Sequence, residues 1–542
     1  MADEVELIIT GAPVYTADAA RRWARAVAVG GGRIVAVGGE RDVLALRGPG
    51  TRVIPLDGGM VVPSFQDAHA HPLTSGLELL RCSLTDIDPD GYEAAITRWA
   101  EDQLDAPWLL GGGWRMDAFP GGVPPAGLLD RLVSDRPVWL ESRDGHSGWA
   151  NAPALALAGV TASTTDPPNG RLERDERGAP TGVLHEGAMR LVERVVPPPS
   201  TDELARALAT GQTYLHRLGI SAWQDAWVLP AQLDAYHEAA ATGALSARVV
   251  AALKWQPEAG DGQLDSLVEQ RRAARIGRLR AGAVKIIQDG VFENFTAAML
   301  DPYLGRGGER GISMLPADEL ARVVTLLDAE GFDVHVHAIG DRAVREALDA
   351  FAAAARANGH RDARHQIAHL QFVHPDDQPR FRRLGVVANA QPFWAVLDGY
   401  MRELTLPFVS AERAACQYPW ASLRRAGATL AFGSDWSVST PDPLALIEVA
   451  ITRVAPDDRD GDPFLPAERL DLPAALDAAT IGAAYANRLD ATTGSIEPGK
   501  LADLAVLDRD LFDPAAGPVG DARVLATFVE GELVHADEAL GW

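Results

Sequence analysis

Two histidines, His69 and His71, stand in Asp67-Ala68-His69-Ala70-His71, directly after the apolar stretch Val61-Val62-Pro63-Ser64-Phe65. Residues two apart on an extended chain point to the same side. The pair can therefore offer two imidazole nitrogens to one divalent cation. Lys285 lies in the apolar run Ala283-Val284-Lys285-Ile286-Ile287. Burial disfavours its ammonium form, and a neutral amine can take up CO₂ as a carbamate whose two oxygens bridge two metal ions. The alternative is a lysine that snorkels to an edge or pairs with Asp289. His337 closes Val334-His335-Val336-His337. His335 shares its parity, but His337 is nearer the strand end and is the better ligand, with His335 a buried, hydrogen-bonded neighbour. His369 ends Gln366-Ile367-Ala368-His369. Imidazole suits zinc, and the second ring nitrogen of such a ligand needs its own partner. Asp435, in Phe432-Gly433-Ser434-Asp435-Trp436, can take a proton from an activated water and pass it to a leaving nitrogen. A helix N-cap is its competing role, which Ser439, Thr440 or Asp442 can fill instead.

The elements that must position these groups follow a strand-then-helix rhythm. Eight strands are predicted at 61–69, 220–225, 248–254, 284–289, 333–337, 366–371, 386–391 and 429–435. Helices are predicted between them at 202–218, 232–242, 264–279, 317–330, 342–358, 375–384 and 411–426. Such alternation implies a parallel sheet, and eight parallel strands with outer helices close into an α/β fold of the (β/α)8, TIM-like type. Reactive groups in that barrel sit at the C-terminal strand ends. The six candidates fall at such ends, on strands one, four, five, six and eight. The chain ends read differently, as short strands with Gly and Asp turns, including Gly30-Gly31-Gly32 and Asp57-Gly58-Gly59. The expected organisation is a small β-sandwich from residues 1–60 plus 488–542 and a metal-dependent barrel over 61–487. The gap after strand one is too long for a loop. Residues 77–200 are therefore expected to form an inserted subdomain, and 292–311 a lid or loop over the barrel mouth.

Bulk properties narrow the function classes. The chain has 542 residues, 47% hydrophobic and 23% charged, with a formal net charge of −25. A field of that sign repels nucleic acid and anionic lipid, so neither is an expected partner. Two cysteines, Cys82 and Cys416, are too few for a disulfide framework. The start Met-Ala-Asp-Glu-Val-Glu has no basic leader, and no apolar run is long enough to span a bilayer, so a cytoplasmic location is expected. A small-molecule substrate is the expected partner, and a homodimer is allowed.

The chain resembles the amidohydrolase superfamily, in the branch that holds the N-substituted formamide deformylases and YtcJ-like proteins. The resemblance is carried by residues 61–76, 284–300, 334–344, 367–394 and 432–443, and by Gly-Ser-Ile-Glu-Pro-Gly-Lys-Leu-Ala-Asp-Leu-Ala-Val-Leu-Asp at 494–508. It implies that His69 and His71 bind a first metal and that carboxylated Lys285 bridges to a second, held by His337 and His369. Asp435 would contact the first metal and shuttle the proton. One departure is Ser64, where many relatives have Gly; it lies upstream of the ligands. Relatives work with one or two ions, zinc being expected here. The implied activity is hydrolysis of a carbon–nitrogen bond other than a peptide bond.

Aromatic side chains near strand ends, Trp223, Trp227, Phe393, Trp394 and Trp436, suit an apolar substituent beside the scissile bond; Trp114 and Trp149 lie in the insertion. His146, in Arg143-Asp144-Gly145-His146-Ser147, resembles a family loop that approaches the mouth. The expected substrate contacts are His146, Trp223, Gln391 and Trp394. Arg115 and Arg143 are the candidates for a carboxylate clamp. A neutral N-substituted amide or formamide is the first substrate expectation, an N-acyl amino acid the second. Deamination or cyclic-amide opening would use the same ligands. A non-catalytic scaffold would lack several of them.

Overall fold

The computed structural model describes residues 4–56, 58–85 and 87–537. The expected barrel is present. Its strands are Phe65–Ala70, Ile220–Val228, Arg248–Lys254, Leu279–Ile287, Asp333–Ala338, Gln366–His369, Val387–Ala390 and Thr429–Phe432, each parallel to the next in that order. Strands one and eight meet just beyond their ends, where Asp435 N donates to His69 O at 2.7 Å and His71 N donates to Trp436 O at 2.8 Å. Valine-, alanine- and isoleucine-rich strands are buried on both faces, as a parallel sheet covered by helices requires. Their outer faces pack on helices that include Thr201–Arg217, Pro230–Thr242, Ala317–Ala329 and Asp341–Asn358. The first of these opens on a capping box between Ser200 and Glu203.

Several expected elements differ in their bounds, and three of them in a way the local sequence explains. The strand predicted at 61–69 is two strands. Met60–Pro63 runs antiparallel to Leu504–Leu507 in the small sheet, and only Phe65–Ala70 enters the barrel. Ser64 is the switch point: its N donates to Asp503 O, the next N donates to Gly219 O of the barrel side, and its hydroxyl meets that of Ser221 at 2.5 Å. The helix predicted at 264–279 stops at Ala273, because Leu279 already begins strand four. The helix predicted at 411–426 is two short ones, Ala411–Ala414 and Trp420–Arg425; Pro419, which has no N–H to donate, lies between them.

Both chain ends contribute to one eight-stranded sheet. Its order runs Glu532–Ala536, Val524–Val529, Leu504–Leu507, Met60–Pro63, Leu7–Tyr15, Trp23–Gly30 and Arg33–Gly38, with Arg52–Pro55 also pairing on Leu7–Tyr15. Residues from both ends, among them Ile9, Val27, Leu504 and Phe528, share a core separate from the barrel's. The turn expected at 57–59 includes Asp57, which lies outside the described residues.

The inserted segment has its own six-stranded sheet, ordered Gly170–Arg174, Pro180–Glu186, Ser147–Ala150, Val138–Ser142, Leu109–Trp114 and Cys82–Ser83. Trp114 and Trp149 are buried in its core, 6.1 Å apart edge to face, so they pack the insertion and do not wall a substrate site. Among the described residues, no helix is long and apolar enough to cross a membrane.

Candidate metal centre

The seam of the barrel brings three groups together. His71 Nε2 lies 3.0 Å and His69 Nε2 3.3 Å from the same oxygen of Asp435, and ligand atoms of the three residues lie within 4.8 Å of one another. Asp67 is the brace. One of its oxygens accepts from the backbone N of His69 (2.9 Å) and of Ser434 (3.0 Å), and the other from the Ser434 hydroxyl (2.5 Å). One side chain thus fixes the ends of strands one and eight against each other. Asp435 adopts the left-handed region with φ 56°, as do His369 (78°) and Leu370 (52°). Such backbone costs about 1–3 kcal/mol per residue and persists where surrounding contacts over-determine it.

The other strands extend this cluster into a row. Lys285 Nζ is 3.4 Å from His69 Nε2, and His369 Nδ1 is 3.7 Å from the second oxygen of Asp435. The His369 and His337 rings are 4.4 Å apart. His337 Nε2 faces Gly290 O at 3.3 Å and Asp289 at 3.6 Å. His335 sits behind the row, with Nε2 2.8 Å from His69 Nδ1 and Nδ1 on Gln224 Oε1. Asp289 does not pair with Lys285. Its carboxylate accepts three backbone N–H groups, from Ala298 (2.9 Å), Ile339 (3.0 Å) and Gly340 (2.8 Å).

Electrostatics sort these groups into the forms a cation needs. Burial, followed by the charge of Lys285, pushes His69 down to about 3, and burial holds His335, His337 and His369 well below the usual histidine range. All four are neutral imidazoles, the ligand form. Burial pushes Lys285 down to about 7. Burial alone would raise Asp435, but the imidazoles of His69, His71 and His369 hold it well below the usual carboxylate range. The fit to a divalent metal also rests on one orphan: buried His369 Nδ1 has no hydrogen-bond partner among the described residues, although a buried polar atom left alone is costly. Neutral imidazoles, an ionised carboxylate and an unpartnered nitrogen are a donor set that a divalent cation satisfies.

The four residues expected to touch substrate are dispersed. Gln391 is fully buried. Its Oε1 accepts from His369 N (2.7 Å) and orients that residue, while its Nε2 donates to Asn389 (2.9 Å), so both ends of the amide are engaged inside the barrel. Trp223 is also fully buried, in the core between barrel and helices, and is not a pocket wall. Trp394 stacks flat on His369, with centroids 5.1 Å apart and planes 1° from parallel. The His146 ring lies 5.3 Å from that of His337, with Nδ1 2.9 Å from Glu186. Burial opposes charge on this ring, but Glu186 outweighs it and lifts His146 to about 9. Arg115 is taken by Asp117, at 2.9 and 2.5 Å, so it is not a free carboxylate clamp, and Arg143 donates from Nε to the carbonyl of Val438 at 2.9 Å. Sequence reasoning passed over Asp67 as a brace, although it stands two residues before His69. It also missed Glu186, for which the chain gives no local signal.

These features define a barrel hydrolase site, and the comparisons with known proteins agree. Residues 52–535 match the model of the amidohydrolase family, and the chain belongs to that family. It is 32% identical to Protein LONG AFTER FAR-RED 3 of Arabidopsis thaliana, over 98% of this chain and 91% of that protein. It is 28% identical to N-substituted formamide deformylase of Arthrobacter pascens, over 97% of this chain and 98% of that one. Among solved structures, an uncharacterized metal-dependent hydrolase from Pyrococcus furiosus is similar at a TM-score of 0.72 and 25% identity, covering 93% of this chain and 99% of that one.

Proposed function

We propose that the chain hydrolyses the carbon–nitrogen bond of a small, neutral N-substituted amide, a formamide first, releasing an amine and a carboxylic acid. The observation that carries this reading is the convergence of His69, His71 and Asp435 at the barrel seam, with buried His369 Nδ1 turned unpartnered toward Asp435. His69, His71 and Asp435 would hold one cation, and His337 and His369 a second, with carboxylated Lys285 between them. Zinc is the expected metal, because most of the donors are imidazoles. When bound, it supplies Lewis acidity that polarises a carbonyl and makes water nucleophilic near neutral pH.

The chain's own residues do the rest. Asp435 accepts the proton of the attacking water on a carboxylate oxygen and delivers it to the departing nitrogen, which leaves as a neutral amine. Asp67 keeps Asp435 and His69 in register. Trp394 covers one face of His369 and limits water there. The preference for a neutral substrate is supported by the pairing of Arg115 with Asp117 and by the formamide deformylase among the relatives.

The test is amine release from a panel of N-formyl, N-acetyl and N-acyl amino acid compounds, with zinc content measured in parallel. The account expects turnover of N-substituted formamides by a zinc-loaded chain, and lower recovery when metal is restored without bicarbonate. Turnover of N-acyl amino acids alone would contradict the neutral-substrate reading, and equal recovery without bicarbonate would contradict the carbamate.

A further inference from the structure

The inserted segment sends one ion pair to the barrel mouth. His146 precedes the strand Ser147–Ala150, and Glu186 ends the strand Pro180–Glu186; the two strands pair with Ser147 opposite His185. Neighbouring residues on a strand turn to opposite faces. Ser147 and His185 turn inward, where the hydroxyl meets His185 Nδ1 at 2.8 Å and His185 Nε2 meets Glu173 at 3.1 Å. Ser147 is fully buried, so this Ser–His–Glu chain is a brace and not a nucleophile. His146 and Glu186 instead meet the barrel, with the His146 ring at the His337 end of the histidine row.

Glu186 is the joint between the two parts. Its Oε2 faces His146 Nδ1 at 2.9 Å, its Oε1 accepts from the Thr296 hydroxyl at 2.7 Å, and its N donates to His146 O at 3.0 Å. Thr296 belongs to the stretch after strand four, and its hydroxyl oxygen also accepts from Val291 N at 3.0 Å. Gly290, whose carbonyl faces His337, leaves room for this joint: a Cβ there would lie 2.1 Å from Thr296 Oγ1 and 2.2 Å from Glu186 Oε1. His146 is therefore held from one side only. Its Nδ1 is engaged, its Nε2 has no hydrogen-bond partner among the described residues, and its side chain is 17% exposed.

We propose that His146 is a catalytic residue, donating a hydrogen bond from Nε2 to the carbonyl oxygen of the bound amide, and that Glu186 is the positioning residue that holds it there. The inference rests on the amide-hydrolase reading above. As water adds to the carbonyl carbon, the oxygen gains negative charge. The His146 Nε2–H, aimed by the Glu186 contact at Nδ1, meets that charge without transferring a proton. Removing one such donor typically lowers kcat by about 10²–10³-fold.

The experiment compares the full-length zinc-loaded chain with His146→Ala, Glu186→Gln and the double variant, on whichever N-substituted formamide the unmodified chain turns over. Three quantities are read: kcat and KM separately, zinc content, and amide hydrogen exchange across residues 288–298. The expected result is a loss in kcat of about 10²-fold for His146→Ala, with KM and zinc content little changed. Glu186→Gln should lose less, and the double variant no more than His146→Ala alone, because the two act as one unit. Exchange across 288–298 should rise in Glu186→Gln. Unchanged kcat in His146→Ala, losses that multiply in the double variant, or loss of zinc or folding in His146→Ala would overturn the proposal. If the unmodified chain turns over none of the panel, the amide-hydrolase reading fails by itself. Hydrogen exchange then decides the Glu186 joint: faster exchange supports it and unchanged exchange overturns it.

Discussion

Strand four and strand eight each deliver a buried aspartate beyond their C-terminal ends, and the two carboxylates have opposite lives. Asp289 is enclosed by three backbone N–H groups that tie the stretch after strand four to the end of strand five. Burial pushes it up to about 8 against the pull of those amides. Among the described residues the Asp435 carboxylate has no backbone donor; it faces His69, His71 and His369, which hold it well below the usual carboxylate range although it too is buried. Residue type and place on the barrel are the same. What separates a structural clamp from a chemical group is the partner, amide or imidazole. The lesson extends to Lys285, whose Nζ lies 3.4 Å from the His69 imidazole nitrogen.

The contrast can be broken by exchanging the carboxylates for amides. Asp435→Asn should lower kcat by about 10³-fold or more, since no group then takes the proton, while the melting temperature stays close to that of the parent chain. Rates and thermal melting on the same preparation check both halves. Asp289→Asn should do the reverse. Its amide keeps one acceptor oxygen for three donors, and the unsatisfied N–H groups cost about 1–3 kcal/mol each, so denaturant unfolding should report a clear loss of stability. If Asp435→Asn melts early and Asp289→Asn does not, the distinction fails.

Smaller effects sharpen the same division between positioning and chemistry. Gln391→Leu removes the acceptor for His369 N, and chelator competition should show metal affinity about 10–100-fold weaker with KM for substrate nearly unchanged. A rise in KM alone would return Gln391 to the substrate. Trp223→Phe should change neither kcat nor KM and should cost about 1–3 kcal/mol of stability. A specificity change there would place the indole in the pocket after all.

The barrel was legible because its strands are apolar runs that alternate with amphipathic helices, and His69-x-His71 because parity along a strand survives any detail of packing. Other features were hidden by physics the one-dimensional pattern does not carry. The apolar run from Val61 onward reads as one strand, yet it passes from one sheet to another at Ser64, whose N donates to Asp503 O while Phe65 N donates to Gly219 O, both acceptors distant in sequence. Trp223 was misread because strand two, expected to end at 225, runs on to Val228 and leaves the indole in mid-strand rather than at the barrel mouth. Gln391 stands at a strand end, as a substrate contact would, but its amide is buried and engaged by His369 and Asn389. His146 and Glu186 are forty residues apart, and only the pairing of two short strands in the insertion brings them together.

The account stands on a cation held between strands one and eight, and metal analysis of the purified full-length chain tests it most directly. The predicted result is at least one tightly bound divalent ion per chain, zinc by identity, lost from the folded His69→Ala/Asp435→Ala variant together with activity. A folded parent chain that turns over its substrate with no divalent metal, or a double variant that keeps its full metal complement, would contradict it.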